Sequence, residues 1–412
     1  MTPYPAAVPY GRLLDPAHRP DPYPLFAELA REPVRRIDEH VWAVGGHAEI
    51  SRLLRDPRLS AQEPAVPGPD TPPGSDGNPF RGPFLRQDPP HHDTLRAQTM
   101  HQFVPRILGL RPKIEDIVTE LVDGLDGELD VVSALAYPLP VAVICELLGV
   151  PRSEEPVFHD FAARLTRALD PQESFTAEEL ADVAKTREDW RAYLTPMIVQ
   201  RLTEPGDDLI SGLLTDGDPA ERMTMVELAT TLGLLLIAGH ETTVNLIANG
   251  TLALLRNPDV LARLRADPDL APAVVEEVLR FDPPVQLTSR LTTADVRIGD
   301  TTVPAGDRVL LLLAAGNRDP RRFEDPDRFW PERPDNRHLA FGSGVHYCLG
   351  AALARIEGQA ALTAIATRLA APRLLADPPP YRPNTILRGP AELRVAVGAS
   401  AWAGSTPARP HS

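Results

Sequence analysis

Apolar residues recur at three- and four-residue intervals over 107–125 and over 177–202, the spacing that gathers them on one face of a helix. Strand-like runs are scarce and short: 41–44, 296–303, 309–313 and 393–397. Val303-Pro304-Ala305-Gly306 predicts a turn between two short strands. No internal repeat is visible. The pattern predicts a mainly helical protein with a small β region.

One helix stands apart. Thr224-Met225-Val226-Glu227 forms a capping box ahead of an apolar run, and no proline follows until Pro258. A helix of roughly 32 residues, about 48 Å long, is predicted. Its first half, 232–237, is apolar nearly all round, which implies burial on every side. At its centre comes Ala238-Gly239-His240-Glu241-Thr242-Thr243. A carboxylate there is costly unless it has a partner or a task. The two small residues make room for a flat or bulky neighbour, and threonine hydroxyls in mid-helix bond back to a carbonyl. The segment fits a satisfied polar kink, or an acid and an alcohol that handle protons beside a ligand.

Prolines number 46 and crowd into a loop over about 62–86, where the bulky apolar members are Phe80 and Phe84. A loop of that length is either a binding element or an inert excursion. The last stretch, 398–412, is small and polar and predicts a disordered tail behind one body over 1–397.

Composition narrows the chemistry. Lys and Arg number 42 against 57 Asp and Glu, a net charge of −15, which argues against nucleic-acid binding. The run 134–145 reaches about a dozen apolar residues with two prolines, short of the ~20 of a membrane span. The first residues show neither a basic nor an apolar targeting segment, so a cytoplasmic monomer is expected. Two cysteines, Cys145 and Cys348, cannot build a disulfide framework or a four-thiolate zinc site.

Cys348 lies in Phe341-Gly342-Ser343-Gly344-Val345-His346-Tyr347-Cys348-Leu349-Gly350, just ahead of a strong helix former. Glycines there permit positive φ and close approach, and a helix N-terminus favours thiolate. An inert cysteine leaves the glycines unexplained. A nucleophile lacks a base that faces it, and zinc lacks further ligands. One axial thiolate on haem iron fits best. Elsewhere Glu277 and Arg280 share a helix face, Arg333 is available to the same carboxylate, and His92 and Arg96 form a one-sided cationic pair.

Together these segments, over about residues 10–397, resemble the soluble bacterial members of the cytochrome P-450 superfamily, the haem-thiolate monooxygenases. The resemblance implies a single domain of that fold, with a long central helix over haem b. It implies Cys348 as the iron ligand and Glu241 with Thr242 as the proton-delivering pair. His92, Arg96, Arg290 and His346 would hold the propionates, and Ala238, Gly239, Phe341 and Gly350 would contact the haem. Glu277, Arg280 and Arg333 would brace the cysteine loop. Glutamate stands at 241 where many soluble members carry aspartate, and His91 stands where an acid is common.

The implied reaction inserts one atom of dioxygen into a moderately hydrophobic small organic substrate, as hydroxylation or epoxidation in secondary metabolism. Alternatives are oxidative coupling or ring closure without oxygen insertion, and a non-catalytic haem-binding scaffold. Electrons would come from NAD(P)H through a ferredoxin reductase and a ferredoxin. Five cations against two acids over 86–113, a local +3, would steer an acidic donor to that face. Phe80, Phe84, Leu234, Ile237, Ala238, His240, Val285, Gln286, Leu287, Ile386 and Leu387 are expected to line the substrate site.

Overall fold

The structure is a computed structural model that describes residues 9–62, 83–171, 174–218 and 222–398. Phe80, most of the proline-rich loop and the tail beyond Gly398 lie outside the described residues. The helices that build the interior are α1 (His91–Gly109), α2 (Arg111–Val122), α3 (Pro138–Leu148), α4 (Glu155–Thr166), α5 (Ala177–Thr203), α6 (Met225–Arg256), α7 (Ala271–Phe281) and α8 (Ala351–Arg368).

The capping box behaves as its sequence requires. The Glu227 N–H donates to Thr224 Oγ1 at 3.2 Å, and Thr224 N–H donates to Glu227 Oε2 at 2.8 Å. Behind it α6 runs 32 residues, against α3, α4, α7 and α8. It is long and apolar enough to cross a membrane, a possibility the dozen-residue run did not raise. Yet 78% of its apolar window is buried inside the protein, so its hydrophobic surface serves the core.

The expected helix over 107–125 is two helices. Pro112 has no N–H to donate to the carbonyl of Leu108, and its ring crowds that carbonyl. The chain therefore breaks at Leu110, and Pro112 takes a place in the first turn of α2.

The strands are β1 (Arg35–Asp38), β2 (Val41–Val44), β3 (Leu59–Ser60), β4 (Gly127–Asp130), β5 (Thr288–Thr292), β6 (Val296–Ile298), β7 (Thr301–Val303), β8 (Arg308–Leu311), β9 (Arg373–Leu374) and β10 (Arg394–Val397). They form a five-stranded sheet in the order β1-β2-β8-β5-β3, a three-stranded sheet β4-β10-β9 and the hairpin β6-β7. The apolar run over 296–303 is thus a hairpin, turned at Gly299 with φ +59°. The turn after Val303 does exist, but β7 and β8 belong to different sheets. All of this is one mostly helical domain with a minor β region.

Candidate active site

The cysteine loop is held open at one end and clamped at the other. Cys348 N–H donates to the Phe341 carbonyl at 2.9 Å, closing a loop that turns through Gly342 (φ +68°) and Gly344 (φ +73°). A Cβ on Gly344 would lie 2.7 Å from the Leu54 carbonyl, so no side chain fits there. A Cβ on Gly350 would meet nothing within 4 Å, which leaves open approach beside the sulfur.

The sequence predicts a favoured thiolate; the structure shows a stronger opposing effect. Burial pushes the Cys348 thiol up, against the Gly350 N–H and the cations of Arg96 and Arg355. Helix α8 starts only at Ala351, so a single backbone amide reaches the sulfur. Cys348 carries accessible surface, although neighbouring protein desolvates its thiol. A sulfur so placed can serve as a ligand for a cation, since coordination deprotonates a thiol outright.

Beneath the loop, Arg280 and Glu277 are fully buried and paired through two hydrogen bonds of 2.8 and 2.7 Å. Arg333 stands 3.6 Å from the same carboxylate, and Glu277 also accepts from Trp330 N–H at 2.8 Å. Arg280 donates to the carbonyls of Asn317, Pro326 and Arg328. This ties α7 to the irregular segment that leads into the cysteine loop.

On α6, Ala238 is exposed although Leu236 and His240 are buried. Thr242 Oγ1 donates to the Ala238 carbonyl at 2.6 Å, so the hydroxyl lies on that same face. Glu241 does not join it. Adjacent residues on a helix point about 100° apart, and Glu241 is buried on the far side. There Arg382 donates to one carboxylate oxygen and Tyr137 Oη to the other at 3.3 Å. Burial raises the Glu241 pKa while Arg382 holds it back. His240, expected in the substrate site, is instead fully buried against Tyr137, ring centroids 4.4 Å apart. Burial lowers its pKa to about 3, so it is a neutral core histidine.

His92 and His346 come together, with ring centroids 4.4 Å apart. His92 Nδ1 is 2.7 Å from Asp93, but His92 Nε2 and His346 Nδ1 are buried with no partner. Arg290 and Arg96 both act electrostatically on His346. Arg96 also donates to the Tyr347 carbonyl at 2.6 Å, next to the cysteine. This edge offers donors in search of acceptors, and Cys348 offers a soft sulfur donor. The set fits haem: propionates suit the two orphaned imidazole nitrogens and the two guanidiniums, and iron suits the sulfur.

The expected substrate residues divide. Phe84 and Leu234 pack together with Leu95, and Leu349 of the cysteine loop packs on them. Ile237 is half-buried on α6. Val285 and Leu387, 102 positions apart, face one another through an antiparallel bridge. Gln286 and Leu287 turn away. The Gln286 amide donates to the Pro283 carbonyl at 2.7 Å and faces a small cavity shared with Leu13, Phe26 and Arg388. Leu287 sits in the N-terminal cluster of Tyr10, Leu13 and Leu25, and Ile386 packs on that cluster. Which cluster each of these neighbours joins is decided by tertiary packing, which a pattern of apolar letters does not resolve.

The cytochrome P450 family model matches residues 164–394 of this chain. The chain belongs to the cytochrome P450 family. It is 40% identical over 404 residues to cytochrome P450 107B1 of Saccharopolyspora erythraea, covering 93% of this chain and 97% of that one. Identity with the cytochrome P450 monooxygenase PikC of Streptomyces venezuelae is 39%, over 90% of this chain and 89% of the other. The ligand-free crystal structure of Mycobacterium smegmatis CYP164A2 superposes with a TM-score of 0.86 at 43% identity, over 94% and 99% of the two chains. The protein is therefore a P450 monooxygenase of the oxidoreductase class, and the family works with haem iron and dioxygen.

Sequence reasoning passed over Arg382, Tyr137, Glu276 and Arg355 as functional side chains in this P450. Arg382 lies 141 residues from Glu241 and Tyr137 lies 104 from it. No local spacing signals such pairings.

Proposed function

We propose that this P450 inserts one oxygen atom into a small, moderately hydrophobic organic substrate of secondary metabolism, taking electrons from a ferredoxin and its NAD(P)H-dependent reductase. One observation carries the reading: an accessible cysteine on a loop braced against α7, with an exposed alanine, Ala238, in the middle of the otherwise buried central turns of α6. Haem bound there would supply the activation of dioxygen. Cys348 would hold its iron, and His92, Arg96, Arg290 and His346 would fix its acidic edge.

The chain's own groups then define the rest. Thr242 presents a hydroxyl on the Ala238 face and can hold a water or pass a proton there. Glu241 keeps an ionisable carboxyl one residue away, tethered by Arg382 and Tyr137. Phe84, Leu234 and Ile237, with the bridged Val285 and Leu387, supply apolar surface suited to an uncharged carbon skeleton. PikC, a relative named a monooxygenase, supports oxygen insertion over coupling.

The test is turnover under isotopically labelled dioxygen, with substrates first chosen by the low- to high-spin shift they cause on binding. A product with one labelled oxygen atom supports the proposal. A coupled or ring-closed product without added oxygen contradicts it.

A further inference from the structure

An ion pair beside the thiolate is used by none of the roles above. Arg355, on the first two turns of α8, donates Nε to Glu276 Oε1 at 2.6 Å and Nη2 to Glu276 Oε2 at 3.0 Å, a two-pronged contact with α7. Its guanidinium lies over the Phe341 ring, 4.6 Å from the centroid. The same cation is bonded to the Tyr347 side chain and acts on the Cys348 sulfur. Arg355 therefore grips the cysteine loop at both ends, Phe341 and Tyr347.

Glu276 has one further partner. His338 Nε2 stands 3.2 Å from it, while His338 Nδ1 accepts from Ala340 N–H at 3.2 Å. Arg355 and Arg96 are the cations that act on the sulfur, with Arg355 over Phe341 and Glu276 paired to it. Arg355 and Glu276 are each about 30% exposed, so solvent weakens their field without removing it.

We infer that Arg355 is a positioning residue that sets the reduction potential of the Cys348-bound iron, and that Glu276 partly offsets its charge. The inference rests on Cys348 being the iron ligand. A cation beside the thiolate stabilises the more negative, reduced centre and raises the potential; an anion does the reverse. A residue that merely braces the loop has no such sign.

The experiment is spectroelectrochemical titration of the haem-loaded protein and of Arg355→Gln, Arg355→Lys and Glu276→Gln. The expected results are a lowered midpoint potential in Arg355→Gln, a raised one in Glu276→Gln, and one near the unaltered value in Arg355→Lys, which keeps the charge. Shifts of both ends in the same direction, or no shift in either, overturn the inference. If Arg355→Gln retains no haem, Glu276→Gln decides, and an unraised potential there overturns it. The reduced carbon monoxide complex of the unaltered protein separates the two levels. Absence of its thiolate-type band refutes the ligand, whereas a normal band with unmoved potentials refutes only the role of Arg355.

Discussion

At the scale of single residues, the division of labour on α6 follows from helix geometry. Thr242 faces the exposed stretch at Ala238, and Glu241 faces Arg382 and Tyr137. Under the proposed chemistry, a proton handled at Thr242 would have Glu241 about 100° round the helix from it. Thr242→Ala is expected to keep haem while diverting reducing equivalents to hydrogen peroxide, measured as peroxide formed per NAD(P)H consumed. Unchanged coupling would remove the hydroxyl from the mechanism. His240 gives a second expectation. Its folded pKa, about 3, lies below the ordinary value of 6.5. Between those limits the unfolded chain binds a proton that the folded protein refuses, so stability falls as pH falls from 6.5 toward 3, by at most about 1.4 kcal/mol per unit. His240→Phe should flatten that slope in denaturant unfolding followed from pH 6.5 to 4.5. A parallel slope in the variant would contradict the buried, neutral assignment.

Among the elements, α6 and the loop before α8 were the most legible in sequence because their signals are local. The capping box, the absence of proline and the glycines around Cys348 each act within a few residues of the feature they dictate. β1, β4 and β5 escaped notice because Arg35–Asp38, Gly127–Asp130 and Thr288–Thr292 are short and largely polar, and β4 and β5 also pair with segments far away in sequence. The same holds for Arg382 on Glu241 and Glu276 on Arg355, pairs made by tertiary folding alone. The link from α7 to the cysteine loop carries its own prediction. Arg280 is fully buried, and its loss removes the two-pronged partner of the buried Glu277 carboxylate, leaving it Arg333, Asn336 and the Trp330 N–H, and removes the donor to three carbonyls. Removing one partner of such a pair costs about 3–5 kcal/mol. Arg280→Ala should lower the denaturant midpoint and the haem content of purified protein, and full loading at unchanged stability would refute the bracing role.

For the molecule as a whole, the helical body and the minor sheets converge on one site. α6 passes through the body, α7 and α8 carry the braced loop, and the bridge between Val285 and Leu387 closes the side formed by irregular chain. The local excess of cations over 86–113 is less open to a partner than its count suggested. Arg111 stands 3.7 Å from Glu115, Lys113 4.0 Å from Glu146, and Arg106 3.7 Å from Asp207. The pairs of Arg111 and Lys113 are exposed, weak and salt-screened, so they can exchange for a partner's carboxylates at little cost, whereas Arg106 is half-buried and held by Gln102 and the Asp208 carbonyl. Every functional statement returns to the sulfur of Cys348. The measurement that tests it most directly is the absorption spectrum of the dithionite-reduced carbon monoxide complex, recorded for the protein and for Cys348→Ser. The account predicts a thiolate-type Soret band in the former and its disappearance in the latter. The same band in both proteins would show that some other side chain holds the iron.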